Sequence, residues 1–143
     1  MSNYKLIEAA DWPAIRDTLP PAEFLWEPMI PARAKIITHS APSVGKSAFS
    51  WGVMNAVEAG EPYLGLPTRQ ARCLLISNDM TEHMFKMRWA KNFEPRFPFI
   101  MIPKSDISSE AFAHSDGRKF IYDFVRERKI DLVCIDTLGG LCM

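Results

Sequence analysis

The sequence contains little cysteine and no long apolar run. Its 143 residues include three cysteines, Cys73, Cys134 and Cys142, and no two of them have CxxC spacing. This argues against a zinc site or a disulfide framework, and the first two lie in apolar runs where cysteine usually fills a core. No stretch reaches the roughly 18 apolar residues of a membrane span, and the start lacks the apolar segment of a secretory signal. We therefore expect no membrane partner and a cytoplasmic location.

The chain also lacks charge of one dominant sign, internal repeats and low-complexity tracts. Seventeen basic residues balance seventeen acidic ones, so composition does not predict non-specific attraction to nucleic acid or to a membrane surface. The hydrophobic share of 48% is typical of soluble globular proteins. A chain of this length suits one domain with one hydrophobic core.

The first 34 residues are rich in proline. Asp11 is suited to cap a short helix that has Pro13 in its first turn. We expect residues 1–34 to form a lead-in that packs on the core, and residues 35–143 to form the domain itself.

Apolar runs alternate with helical patterns through the rest of the chain. The predicted strands are 35–38, 72–77, 99–102 and 131–136, and the predicted helices are 46–59, one capped by Thr81, and one from Ser115 through Lys129. The runs 72–77 and 131–136 are continuous and apolar, as in strands that a parallel sheet buries on both faces. The alternation predicts an α/β domain with a mainly parallel sheet.

The segment His39-Ser-Ala-Pro-Ser-Val-Gly-Lys-Ser47 lies between a predicted strand and a predicted helix. A loop in this position presents backbone N–H groups at the positive end of a helix dipole and suits a phosphate. Lys46 would reach the β- and γ-phosphates, and the Ser47 hydroxyl would ligate Mg²⁺. The residues expected to contact the nucleotide are Ser43, Val44, Gly45, Lys46, Ser47 and Ala48. An ordinary capped helix start is the alternative.

The first position of the GxxxxGK[ST] pattern is Ser40, where glycine is usual. Glycine eases the turn out of the strand. Serine is small, and this end of the loop is farther from the phosphates than Gly45. We expect a loop that is strained or slightly reshaped but still able to bind.

An aspartate ends the last predicted strand, Leu132-Val-Cys-Ile-Asp136. In nucleotide hydrolases an aspartate in this position holds Mg²⁺ through water. The alternative is a turn or helix cap. The phosphate loop and Asp136 together, in this order, favour a site for ATP and Mg²⁺.

The segment Leu74-Leu-Ile-Ser-Asn-Asp-Met80 adds a third carboxylate between these two motifs. Ser77-Asn-Asp-Met80 resembles the motif that ends the corresponding strand in RecA-like ATPases, in particular the replicative-helicase branch and its small phage and plasmid relatives. The resemblance covers about Phe24 to the C-terminus. It implies that Asp79 orients the attacking water, and that Arg88, nine residues later, stacks on or flanks the adenine.

The resemblance implies a three-layer P-loop NTPase fold that hydrolyses ATP in DNA replication or recombination. It also implies a homo-oligomer, a hexamer in the family, that contacts single-stranded DNA through the full-length assembly. In RecA-like folds a later strand separates the phosphate-loop strand from the strand that bears the metal-binding aspartate. That strand would follow residue 143, so we expect a fold that is incomplete at the C-terminus, completed by another chain, or closed by direct pairing of the two strands.

Several departures and alternatives bear on activity. Asp79 is one methylene shorter than the family's glutamate, and a displacement on the order of 1 Å can cost ~10²-fold in rate. Asp79 would otherwise cap the following helix, and Arg88 would otherwise be a solvated charge. The basic residues that could face DNA, or simply be solvated, are Lys86, Arg88, Lys91, Arg126, Arg128 and Lys129.

Three functions fit these motifs. They are an ATPase, a module that binds nucleotide or a partner chain without turnover, and a kinase acting on a small molecule. The segment from Leu74 to Met80 and the lack of an arginine-rich lid argue against the kinase.

Overall fold

The computed structural model describes residues 5–41, 44–77, 80–89, 93–102 and 115–136, with the backbone alone for Trp89 and Ser115. In these parts the helices are α1 (Trp12–Thr18), α2 (Lys46–Ala59), α3 (Glu82–Trp89) and α4 (Ser115–Arg128). The strands are β1 (Phe24–Trp26), β2 (Ile30–Pro31), β3 (Cys73–Ser77), β4 (Phe99–Met101) and β5 (Leu132–Asp136).

The central sheet has the order β4-β3-β5, and both pairings are parallel. All five residues of β3 are buried, because β3 has a strand on each side and each of its faces is covered. This is the environment that its uninterrupted apolar sequence predicts. The α/β class and the mainly parallel sheet are confirmed.

Helix α2 packs on one face of this sheet. Trp51, Met54 and Val57 of the helix share the hydrophobic core with Cys73 and Leu75 of β3. Alternate residues of a strand face the same side, so the next residue of β3 on the α2 side is the last one, Ser77. Near the other end of the helix, Glu58 Oε2 accepts a hydrogen bond from the Cys73 amide at 2.6 Å. The N-terminus of α2 therefore lies toward the carboxyl ends of the strands.

A short hairpin, β1 paired antiparallel with β2, covers the outer side of α2. Leu25 and Trp26 are buried, and the Trp26 indole donates a hydrogen bond to the Tyr63 carbonyl oxygen at 3.2 Å. The Trp26 ring also lies 5.8 Å from that of Phe49 in the first turn of α2. The hairpin thus packs on the core, and the division of the chain into a lead-in of residues 1–34 and a domain of residues 35–143 stays a prediction.

The strand predicted at residues 35–38 is wrong. Residues 34–41 have no regular secondary structure, and the side chains of Ile36 and Ile37 are 49% and 79% exposed. A β-branched run forms a strand only where another strand supplies hydrogen bonds, and among the described residues none pairs with this run. Direct pairing of residues 35–38 with β5 is not observed: within the described sheet β5 is an edge strand paired with β3, and residues 35–38 form no strand along its other edge.

The predicted boundaries of α2, α3 and α4 lie within a residue or two of the observed ones. Thr81 Oγ1 accepts a hydrogen bond from the Met84 amide at 3.4 Å, which confirms the predicted cap of α3. Asp11 precedes α1 but makes no side-chain cap.

Within the described parts of the chain, no helix has the length and apolar character needed to cross a membrane.

Candidate functional site

The turn into α2 depends on Gly45. This residue has φ 91° and ψ 24°, in the left-handed region that side chains with a Cβ rarely adopt. A Cβ built there would meet no atom within 4 Å, so backbone conformation and not space requires glycine. The chain then enters α2 at once, and the Gly45 carbonyl accepts the Phe49 amide at 2.9 Å. The first amides of α2 have no carbonyl of a preceding turn to bind and are available to an anion.

Lys46 folds back over this loop. Its Nζ lies 3.3 Å from the Ser40 carbonyl oxygen and 3.4 Å from that of Ala41. An ammonium group has three donors, so these two long hydrogen bonds leave one donor for a phosphate oxygen.

Ser40 does not strain the loop at its own position. The described residues other than glycine that have positive φ are Arg33, Leu64 and Lys129, so Ser40 has a backbone conformation open to any residue. The strain expected from the missing glycine is absent at Ser40. The physical reason is that no strand forms before the loop, so no sharp turn out of a strand is needed.

The thiol of Cys134 connects α2 with Asp136. Burial, and after it the carboxylate of Asp136, raise the pKa of this thiol to about 11, and a side-chain hydrogen bond with Ser50 opposes the rise. Ser50 of α2 thus lies against Cys134, and Asp136 follows Cys134 by two residues on the same face of β5. Ser47 precedes Ser50 by three residues, which places it on the same face of α2, toward the carboxyl end of β5. The hydroxyl of Ser47 and the carboxylate of Asp136 therefore lie at the same corner of the domain.

The residues at this corner fit Mg²⁺. Asp136 is 9% exposed, and its Oδ2 has no hydrogen-bond partner in the part of the chain that the structure describes. Carboxylate and hydroxyl oxygens are the hard ligands that Mg²⁺ prefers, together with retained water. No group of three or more His, Cys, Asp or Glu residues that could hold a metal exists within the described ranges.

The remaining predicted site residues lie beside the loop, on α3 or beyond the described residues. Ser43 and Asp79 fall outside the described residues. Val44 and Ala48 are exposed next to Gly45 and Lys46. Arg88 is exposed in the last turn of α3. Its role at the adenine stays a prediction.

Two residues near this corner received no role from the sequence, Ser77 at the end of β3 and Ser50 one turn into α2. Ser77 lies at the same level of the sheet as Asp136 and is fully buried. The only feature of the sequence that could have indicated a role for Ser77 is its position as a polar residue at the end of an apolar run. Ser50 touches Cys134, and only its position three residues after Ser47 could have pointed to it.

Comparison with known proteins identifies the family of the chain. The family model described as AAA domain matches residues 4–142, which is nearly the whole chain. No curated protein and no solved structure matched significantly. The three-stranded parallel sheet with its helices fits the P-loop NTPase fold of this family, whose members generally bind ATP with Mg²⁺. The chain belongs to the AAA domain family and carries an ATPase-type nucleotide-binding module.

Proposed function

We propose that this chain binds and hydrolyses ATP with Mg²⁺, and that it acts in DNA replication or recombination as a relative of replicative helicases. One observation carries the nucleotide part. The first turns of α2, with Lys46 and Ser47, lie beside the carboxyl end of β5, because Ser50 of α2 forms a hydrogen bond with Cys134 and Asp136 follows Cys134 by two residues on the same face of β5.

The loop would hold the triphosphate. Backbone amides from Ser43 through Ala48 would bind phosphate oxygens at the positive end of the α2 dipole. Lys46 would exchange its two long hydrogen bonds to loop carbonyl oxygens for charge-assisted bonds to the β- and γ-phosphates, which are stronger. Binding therefore requires no new buried charge, only a change of acceptors.

Ser47 and Asp136 would hold the magnesium ion. Bound Mg²⁺ neutralises charge that develops on the phosphates. Ser47 would supply a hydroxyl ligand from the first turn of α2. Asp136 would orient metal-bound water through an oxygen that is buried and has no partner in the described residues. Exclusion of water around this carboxylate would strengthen its interaction with a cation.

Asp79 would orient the attacking water, and Arg88 would flank the adenine. Both roles follow from the resemblance to RecA-like ATPases. Assembly into a homo-oligomer and contact with single-stranded DNA belong to the same proposal. The exposed basic residues of α3 and α4, among them Lys86, Arg126 and Arg128, are the described surface on which DNA would be sought.

A binding module without turnover is the second candidate. The shorter side chain of Asp79 favours it, since a base set back by one methylene loses rate and leaves binding intact.

Steady-state ATP hydrolysis, with and without single-stranded DNA, separates the two. Turnover that DNA stimulates supports the ATPase, and tight binding without turnover supports the binding module. The Asp79→Glu variant sharpens this comparison, because it restores the reach of the family's glutamate and should raise the rate without changing ATP affinity. Equal rates for Asp79→Glu and Asp79→Ala would remove Asp79 from the proposed mechanism.

A further inference from the structure

Two buried side chains with unpaired oxygens lie side by side at the carboxyl end of the sheet. Ser77 and Asp136 are the last residues of β3 and β5, and they are direct register partners in this parallel pair. Ser77 is 0% exposed and Asp136 is 9% exposed. Neither Ser77 Oγ nor Asp136 Oδ2 has a hydrogen-bond partner in the described parts of the chain.

Both side chains lie on the face of the sheet that α2 covers. Cys73 and Leu75 precede Ser77 at alternate positions and belong to the core with α2. Ser77 lies roughly 13 Å along β3 from Cys73. The backbone amide of Cys73 donates a hydrogen bond to Glu58 near the C-terminus of α2. Ser47 lies roughly 16 Å along α2 from Glu58. Ser77 therefore lies beneath the first turns of α2, next to the corner formed by Ser47 and Asp136.

An apolar strand does not need a hydroxyl at this position. A buried polar group without a partner costs about 1–3 kcal/mol, whereas alanine would fill a similar volume at no such cost. A carboxylate can only accept hydrogen bonds, and a serine oxygen can accept them as well. Two neighbouring acceptors match the two protons of one water molecule, and Mg²⁺ usually keeps several waters when a protein binds it.

We propose that Ser77 is a positioning residue for the metal ion: its hydroxyl, together with the Asp136 carboxylate, holds one water of the magnesium coordination shell. This inference rests on the proposed function, because it requires Mg²⁺ bound with a nucleotide at this corner. Ser77 touches neither the phosphates nor the ion itself. It acts through the water and through the orientation of Asp136.

Manganese binding measured by electron paramagnetic resonance tests the proposal. Mn²⁺ replaces Mg²⁺, and a non-hydrolysable ATP analogue supplies the phosphates, so the measurement does not depend on turnover. Loss of an outer-shell partner typically weakens metal affinity by about 10- to 100-fold, and we expect at least the lower figure for Ser77→Ala and for the nearly isosteric Ser77→Cys. The affinity of the analogue in EDTA should stay unchanged in both variants. Ser77→Thr keeps the oxygen and should retain most of the metal affinity.

Ser50→Ala is the matched control. It removes a hydroxyl from the same α2–β5 interface, next to Cys134 and one turn away from the corner, and should leave Mn²⁺ affinity unchanged. Equal weakening by Ser50→Ala and Ser77→Ala would reduce the effect to packing and overturn the proposal.

The Asp136→Asn variant distinguishes a failure of the role assigned to Ser77 from a failure of the proposed function. If Asp136→Asn weakens Mn²⁺ binding and Ser77→Ala does not, the role of Ser77 is wrong and the proposed function stands. If the unaltered chain binds no analogue with or without metal, the proposed function fails and this inference fails with it.

Discussion

Glu58 Oε2 accepts a hydrogen bond from the Cys73 amide at 2.6 Å, which ties the last turn of α2 to the first residue of β3. This bond fixes how α2 lies along the sheet, and so it sets the position of the opposite end of the helix, where Lys46 and Ser47 begin the candidate site. A hydrogen bond to a charged group contributes about 1.5–3 kcal/mol.

Replacing Glu58 should destabilise the fold. Glu58→Ala should lower the free energy of unfolding by about 1–3 kcal/mol, because the Cys73 amide loses its acceptor. Urea unfolding monitored by tryptophan fluorescence measures this change. Glu61→Ala is the control, since its ion pair with Arg96 is exposed and should change stability by less than about 1 kcal/mol. Equal losses in the two variants would show that the hydrogen bond to the Cys73 amide adds no more to the free energy of unfolding than the exposed ion pair does.

Gly45→Ala should strain the loop without a steric clash. The left-handed conformation costs a residue with a Cβ about 1–2 kcal/mol, and a Cβ at this position meets nothing within 4 Å. Gly65→Ala is a close match, because Gly65 has φ 76° and the same open surroundings. Both variants should lose similar stability in urea unfolding, and only Gly45→Ala should weaken ATP binding. A loss of ATP affinity in Gly65→Ala as well would point to general destabilisation.

Gly52→Ala should destabilise α2, although alanine is the better helix former by about 1 kcal/mol. A Cβ at Gly52 would lie 2.8 Å from the Tyr63 ring, and this ring is held between Trp26 and Phe49. Thermal unfolding should show a lower midpoint for Gly52→Ala. The double variant with Tyr63→Ala should be less affected by the Gly52 change than the chain with Tyr63 intact. A stabilised Gly52→Ala would contradict the observed packing.

The thiol of Cys134 should react slowly. Its pKa of about 11, raised chiefly by burial, leaves roughly 0.1% thiolate at pH 8, against roughly 25% for an ordinary thiol of pKa ~8.5. Only the thiolate is nucleophilic, so alkylation by iodoacetamide at pH 8 should be roughly 250-fold slower in the folded chain than in guanidinium. Cys73 should be protected too, because burial and then Glu58 raise the pKa of its thiol. Peptide mass mapping gives the rate at each cysteine, and equal rates for Cys134 in folded and denatured chains would contradict the structure.

The sequence predicts the elements that carry their own signals. Helix α2 runs from Lys46 to Ala59 as expected, because glycine lies at each end and its apolar residues repeat with helical spacing. Strands β3 and β5 follow from their apolar runs. The prediction of a strand at residues 35–38 was wrong because β-branched residues do not indicate whether a partner strand is present. The hairpin of β1 and β2 was missed, since Pro28 and Pro31 argue against strands there.

The site itself was predictable only in part. Lys46, Ser47 and Asp136 belong to local motifs, and each motif indicates its own chemistry. The pairing of Ser77 with Asp136 joins residues far apart in the chain through strand register, which no local pattern specifies. The bonds from Lys46 to the carbonyl oxygens of Ser40 and Ala41 likewise depend on the path of the loop and not on its composition.

Isothermal titration with ATP and Mg²⁺ tests the central claim most directly. We expect the unaltered chain to bind ATP, and Lys46→Ala to lose at least about tenfold in affinity, because the charge-assisted bonds to the phosphates are worth about 1.5–3 kcal/mol. Lys86→Ala removes the same charge from an exposed position on α3 and should bind ATP as the unaltered chain does. ATP affinity that is unchanged in Lys46→Ala would contradict the assignment of this loop as a nucleotide site.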